Sequence, residues 1–201
     1  MRFSSLKNVS LGLAVVSFVA LGAASAQSLV GVTTRLNRTL DSSNATVGQV
    51  VTVKLNQSVN APDGVKLPRG TELIGKVASV KPAQNNGPAS VALVFTSARL
   101  KDGKAIPVKA TLIGAYTASE GSDATYGAQS MAPAPGRVAA DDTFDQEPGA
   151  LKHVALTSAV KNDDSGTFSS TDGNFKLDAG TYLQFGVAPQ TGGSGTTNAA
   201  E

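Results

Sequence analysis

The sequence predicts an all-β fold, a single antiparallel β-barrel or sandwich with one long disordered loop, and three observations carry that expectation. Apolar and polar residues alternate in run after run. Ile106, Val108, Ala110 and Leu112 fall against Pro107, Lys109 and Thr111, the period of two that a half-buried strand requires. Turn-forming clusters separate the runs, among them APDG at 61–64, LPRGT at 67–71 and KDGK at 101–104. The 201 residues include no cysteine and no tryptophan, so the core rests on aliphatic side chains, and disulfides, thiolate metal sites and a cysteine nucleophile are excluded.

Residues 1–26 read as a secretory signal peptide. Arg2 and Lys7 form a basic start, an apolar stretch runs from Leu11 to Ala24, and Ala24 and Ala26 precede an expected cleavage at Gln27. An apolar run of about 14 residues is short of the roughly 20 needed to span a bilayer, so no stable membrane span is expected after cleavage, and the protein is expected to be periplasmic or secreted from a bacterium. Beyond the leader the charges balance but lie unevenly. Residues 27–118 carry eleven Lys and Arg against four Asp and Glu, and residues 119–201 carry four against eleven. The acidic half folding onto the basic half would compensate them within one molecule; head-to-tail association or an acidic envelope partner would do so between molecules. Nucleic acid is not an expected partner, because the cations are spread singly along strands and few aromatics are available to stack on bases.

Residues 27–188 are expected to form the β domain. SLVGVTTRLNRTL at 28–40 reads as a first strand with Val30, Val32, Thr34, Leu36 and Arg38 on one face, and DSSNA ends it. A second strand follows with Val51, Val53 and Leu55 on one face, closed by APDG. The stretch 65–114 then reads as a three-stranded meander. In LPRGT, Pro68 presets φ at the corner and Gly70 takes the positive φ ahead of Thr71. KDGK reads as a two-residue hairpin turn of type I′ at Asp102 and Gly103. SVALVF at 90–95, uncharged and β-prone, is expected to be a covered central strand. The pattern L-x-x-G-T-x-L-x-x-x-V occurs twice, from Leu67 and from Leu177, where it includes Gly180 and Thr181. An internal duplication and the common grammar of any turn entering a strand both account for it.

From Thr117 to Pro148 large aliphatics are nearly absent, which predicts a long disordered loop over 117–148. Strand patterning resumes at LKHVALTSAV, passes NDDSG, and continues as a hairpin over 168–187; residues 189–201 read as a disordered tail.

Little in the chain looks like catalytic machinery. His153 is the only histidine, and the alternation around it sets it on a strand face with Leu151 and Ala155. Asp141, Asp142, Asp145 and Glu147 have no core around them to drive two carboxyl pKa values apart. Asn162, Asp164 and Gly166 loosely match a calcium loop and lack its later bidentate acid. No enzyme activity, cofactor or metal is expected.

The order LPRGTELIGKV, VALVFTSARLKDGKAIPV, GALKHV and LDAGTYLQFGV resembles the C-terminal β-barrel domain of the TrbI-type scaffold proteins of bacterial conjugation and type IV secretion channels, over roughly residues 64–188. The chain also resembles bacterial exported proteins with the same Gly-Thr strand entry. The TrbI-type resemblance implies a barrel whose matching positions are the turn makers Pro68, Gly70, Thr71, Asp102, Gly103, Gly180 and Thr181, with Gly75 inside a strand. It implies a shared barrel more than a shared channel role, since a cleavable leader is expected here where that family keeps a membrane anchor, and the polar 117–148 stretch stands where that family inserts apolar helices. Two functions are therefore expected: a non-catalytic cell-envelope scaffold or protein-interaction domain, or a module binding glycan or another envelope polymer. Outward tyrosines among Tyr116, Tyr126 and Tyr182 would favour the second.

Overall fold

The computed structural model describes residues 29–61, 64–117, 139 and 141–190. The leader, its cleavage site, and most of the 117–148 and 189–201 segments lie outside these residues. The described residues hold strands and no helix: β1 (Val30–Leu36), β2 (Leu40–Asp41), β3 (Val50–Leu55), β4 (Val59–Asn60), β5 (Lys66–Leu67), β6 (Glu72–Lys81), β7 (Ala89–Arg99), β8 (Ala105–Tyr116), β9 (Thr143–Leu151), β10 (Val154–Ala159), β11 (Gly166–Ser170), β12 (Lys176–Leu177) and β13 (Tyr182–Pro189).

Six of these strands close into an antiparallel barrel in the order β6-β3-β1-β13-β8-β7, with β7 pairing back onto β6. Closure removes the sheet edges that such apolar strands would otherwise expose. SVALVF lies in β7, between β6 and β11, with Val91, Leu93 and Phe95 essentially inaccessible. The inward residues are those the alternation selects, including Val53, Leu73, Val77, Val108, Leu183 and Val187, all fully buried. Each such burial stabilises the fold by about 1.5–3 kcal/mol. Phe95 and Phe185 meet edge to face in the lumen, centroids 4.9 Å apart at 71°. The lumen is thus filled by side chains.

The barrel is built from two equivalent halves. β1 and β3 pair about Arg35 opposite Lys54, and the chain leaves each by the same bond: Asn37 N–H donates to the Thr52 carbonyl at 3.0 Å and Asn56 N–H to the Thr33 carbonyl at 3.1 Å. β6 against β7 and β13 against β8 each carry a bulge at the matching place, between Ile74 and Gly75 and between Gln184 and Phe185. The halves differ where β7 and β8 splay. Ser165 stitches that gap: its N–H donates to the Leu93 carbonyl and its carbonyl accepts from Leu112 N–H, both at 2.7 Å.

β11, β10 and β9 extend the sheet outward from β7. Here the structure corrects several expectations. Thr143–Pro148 lies in β9 and pairs with β10, so this end of the expected disordered loop is a strand. A neighbouring strand supplies the backbone partners that its poor apolar content does not signal. Gln146 also grips β8, its Oε1 accepting from Ala115 N–H at 2.8 Å and its Nε2 donating to the Ala115 carbonyl at 2.7 Å. Residues 168–187 do not form a hairpin, because β11 pairs with β7 and β10 while β13 pairs with β1 and β8. The expected tail starts too early: Pro189 pairs with Val108, and Gln190 N–H donates to the Pro107 carbonyl at 3.0 Å.

Asp41 ties the two ends of the domain together. Its carboxylate accepts from the Ser43 hydroxyl at 2.6 Å and the Ser43 N–H at 2.9 Å, and it pairs with Lys176 of β12 at 3.2 Å. The Ser43 bonds, with Lys176 adding to them, hold its pKa down at about 2 against an ordinary 3.8. A carboxyl depressed on folding contributes stability that is present above the unfolded value and lost as pH falls through the folded one. Wild type is therefore expected to lose an increment, under about 1 kcal/mol after solvent screening, between about pH 4 and 2. Asp41→Asn should lack that increment, so acid-induced urea unfolding of the two proteins would converge below pH 2.

Candidate functional site

The two Gly-Thr turns are geometrically equivalent. In the first, Thr71 N–H donates to the Pro68 carbonyl at 3.0 Å, Gly70 N–H to the Leu55 carbonyl at 2.9 Å, and Leu55 N–H to the Thr71 carbonyl at 2.8 Å. In the second, Thr181 donates to Asp178 at 3.0 Å, Gly180 to Leu36 at 2.8 Å, and Leu36 to Thr181 at 2.9 Å. Even the side-chain braces correspond, Ser58 Oγ accepting from Arg69 N–H and Thr39 Oγ1 from Ala179 N–H. Pro68 is the turn's first residue and supplies the closing carbonyl, so it does not preset a corner φ as expected; Arg69 and Gly70 are the corners. The glycines stand at φ +88° and +91°, the conformation required at the second corner of a type II turn. These turns fasten the ends of β1 and β3 to the starts of β13 and β6.

Gly70→Val and Gly180→Val are both expected to destabilise by at least about 1–2 kcal/mol, β-branching adding to the left-handed penalty. A Cβ on Gly70 would also lie 2.8 Å from Lys101 Cε, a flexible tail that can move, while Gly180 has open space. Thermal melts should show both variants several degrees below wild type. A Gly70→Val protein melting within a degree of wild type would contradict this assignment.

KDGK departs from the expected type I′ turn. Gly103 N–H donates to the Leu100 carbonyl at 3.0 Å and Leu100 N–H to the Lys104 carbonyl at 2.9 Å, leaving three residues in the loop with Gly103 alone at positive φ, +86°. That is a type I turn closed by a left-handed glycine, which suits Asp102 because its Oδ1 can then accept from Lys104 N–H at 3.0 Å.

The groups weighed for chemistry do not assemble. His153 is not on a strand face; it occupies a corner of the β9–β10 turn at φ +59°, is exposed, and its Nδ1 lies 3.7 Å from the Asp172 carboxylate. Asp142 is used locally, its Oδ2 accepting from Ala139 N–H at 2.8 Å, and Asp145 stands opposite Thr157 in the β9–β10 pair. Asp164 accepts from the Thr167 hydroxyl at 3.2 Å. Among the described residues no group of three potential metal ligands converges, and no helix is long and apolar enough to cross a membrane.

Outside the barrel wall lies a groove of about 590 Å³, between the 37–40 segment and the start of β3, with Glu72 and Arg99 at its side. Arg38 and Val50 are exposed on it, and Val47 is exposed nearby in sequence; at 66% and 68%, Val47 and Val50 are the large apolar residues left open to water among those described. The groove adjoins a belt of directly opposed residues crossing five strands, Tyr182, Arg35, Lys54, Glu72 and Arg99. Glu72 takes Arg99 as its ion pair at 2.5 Å, and Arg35 bonds the Tyr182 hydroxyl with its guanidinium 4.5 Å from that ring's centroid. Tyr116, next to Tyr182, is buried, which raises its pKa, and its hydroxyl lies 3.3 Å from Gln184 Oε1. Tyr116 is therefore turned away from solvent and one face of Tyr182 is taken by Arg35; Tyr126 lies outside the described residues. The belt was hidden in sequence because its members sit on five strands and only register aligns them. One part had a signal: VTTRLNRTL at 32–40 repeats as VTVKLNQSV at 51–59, which places Arg35 and Lys54 at equivalent positions.

A scan against protein-family models finds no match, and a search of curated proteins finds no relative.

Proposed function

We propose that this chain is an exported, non-catalytic protein-interaction domain of the bacterial cell envelope, a scaffold barrel of the kind its TrbI-like motif order suggests. The observation that carries the reading is the division between inside and outside. Phe95, Phe185 and the aliphatic layers fill the lumen, while charge and exposed apolar surface gather on the outer wall beside Val50. The absence of a convergent nucleophile, base or paired acids among the described residues favours binding over chemistry. Glycan binding has less support, because Tyr116 is buried and Arg35 already takes one face of Tyr182, where a sugar ring needs a free aromatic face.

Two measurements test the proposal together. N-terminal sequencing of the exported protein should return Gln27, and affinity purification of the tagged full chain from a gently cross-linked envelope should recover a protein at near-constant ratio. An intact leader on membrane-bound material, or recovery of polysaccharide with no protein, would overturn it.

A further inference from the structure

We propose that the outer groove and the basic belt together form the docking site for an acidic, extended peptide segment of a partner protein. The inference rests on the interaction reading above and adds the chemistry of the partner. Five cations meet on this face. Arg35 stands directly opposite Lys54 across β1 and β3, an arrangement that is destabilising unless something neutralises it. The tails of Lys54 and Lys101 converge over the Gly70 turn: a Cβ built there would lie 3.5 Å from Lys101 Nζ and 3.8 Å from Lys54 Cε. Arg38 and Arg99 extend the positive field into the groove. Against them the described residues offer Glu72, already engaged by Arg99, with Asp102 beside Lys101 and Asp178 in the turn bonded to Thr39 at the rim, fewer carboxylates than cations. Among the described residues the acidic half contributes no ion pair to this face. Among the described residues the one ion pair joining the halves is Lys176 with Asp41, which runs in the opposite sense.

Strand spacing sets the pitch of the belt. Adjacent strands lie about 4.8 Å apart, so Arg35 and Arg99, three strands apart, span about 14 Å, the reach of four or five extended residues. Carboxylates on such a segment could meet Lys54, Lys101 and Arg38 in turn. Peptide is favoured over other polyanions by the apolar lip, since Val50 borders the groove with the amides of Asn37 and Gln49 close by. An acidic peptide with one aliphatic anchor matches that mixture; a sulfated or phosphorylated polymer would leave Val50 in water.

The test uses the full chain and a fluorescein-labelled ten-residue peptide of eight glutamates around a central leucine pair, read by anisotropy. The expected result is saturable binding that weakens at least tenfold between 50 and 300 mM salt. It should weaken at least tenfold in the Arg38→Gln, Lys54→Gln double variant and about threefold to tenfold in Val50→Ser, with Lys66→Gln and Lys161→Gln unchanged. Circular dichroism and melting temperature check that each variant folds. Equal binding by wild type and the double variant would overturn the proposal. So would tighter binding of a heparin oligosaccharide with the same residue dependence, which would make the face a polyanion surface. Salt-sensitive self-association abolished by the same substitutions would do so too, by making the occupant a second copy. If these results fail while the envelope purification still returns a protein, the chemistry assigned to this groove is wrong and the interaction reading stands.

Discussion

Phe95→Ala is expected to lower the free energy of unfolding by about 3–5 kcal/mol, the range for removing a fully buried aromatic ring. Phe95 is 1% exposed and packs edge to face on Phe185, so truncation removes both the buried area and the aromatic pair that spans the lumen. The wall around it cannot collapse freely, because β6, β7 and β8 are held by ladder bonds on both sides. At about 2–4 °C per kcal/mol for a domain of this size, the melting temperature should fall by roughly 6–20 °C. Urea unfolding should show a lower midpoint with little change in slope.

Gly75→Ala is expected to destabilise for the opposite reason. Gly75 lies inside β6, and a Cβ there would meet the Val94 carbonyl oxygen at 2.5 Å and the Phe95 ring at 2.6 Å. The ring can tilt; the carbonyl belongs to the neighbouring strand. One methyl group therefore forces β6 from β7 at the seam that closes the barrel, an overpacking cost of about 1–3 kcal/mol or more. Adding Gly75→Ala to Phe95→Ala should cost less than adding it to wild type, because half of the clash has gone. Strict additivity in urea unfolding would show that the backbone contact carries the whole effect.

These two residues also mark what sequence could convey. The alternation that put Phe95 with Leu93 and Val91 inside a covered strand was legible, because a strand buried on one face leaves that period whatever its neighbours are. The choice of neighbours was not. β1 pairs with β13 about 150 residues later, and nothing local in either strand names the other. Gly75 reads as a weak spot in a strand until Phe95 is seen lying over it. His153 fits an alternating pattern equally well as a strand residue or a corner, and a two-residue turn decides for the corner. Thr143–Pro148 carries a single large apolar side chain, Phe144 against Leu29, Val160 and Ala188, because β9 is an added edge strand, held by β10 and by the amide of Gln146. The belt has no linear signature, since register across five strands creates it.

The most direct measurement is site-specific photo-crosslinking in cells that make the protein, with the photoreactive residue placed at Val50 in one version and at Thr143 on β9 in another. One discrete adduct with a protein is expected from Val50, lost when Arg38→Gln and Lys54→Gln are added, and none from Thr143. An adduct from Thr143 alone would move the interaction to the edge strand, and no protein adduct from either position would contradict the claim that this filled barrel works through its outer wall.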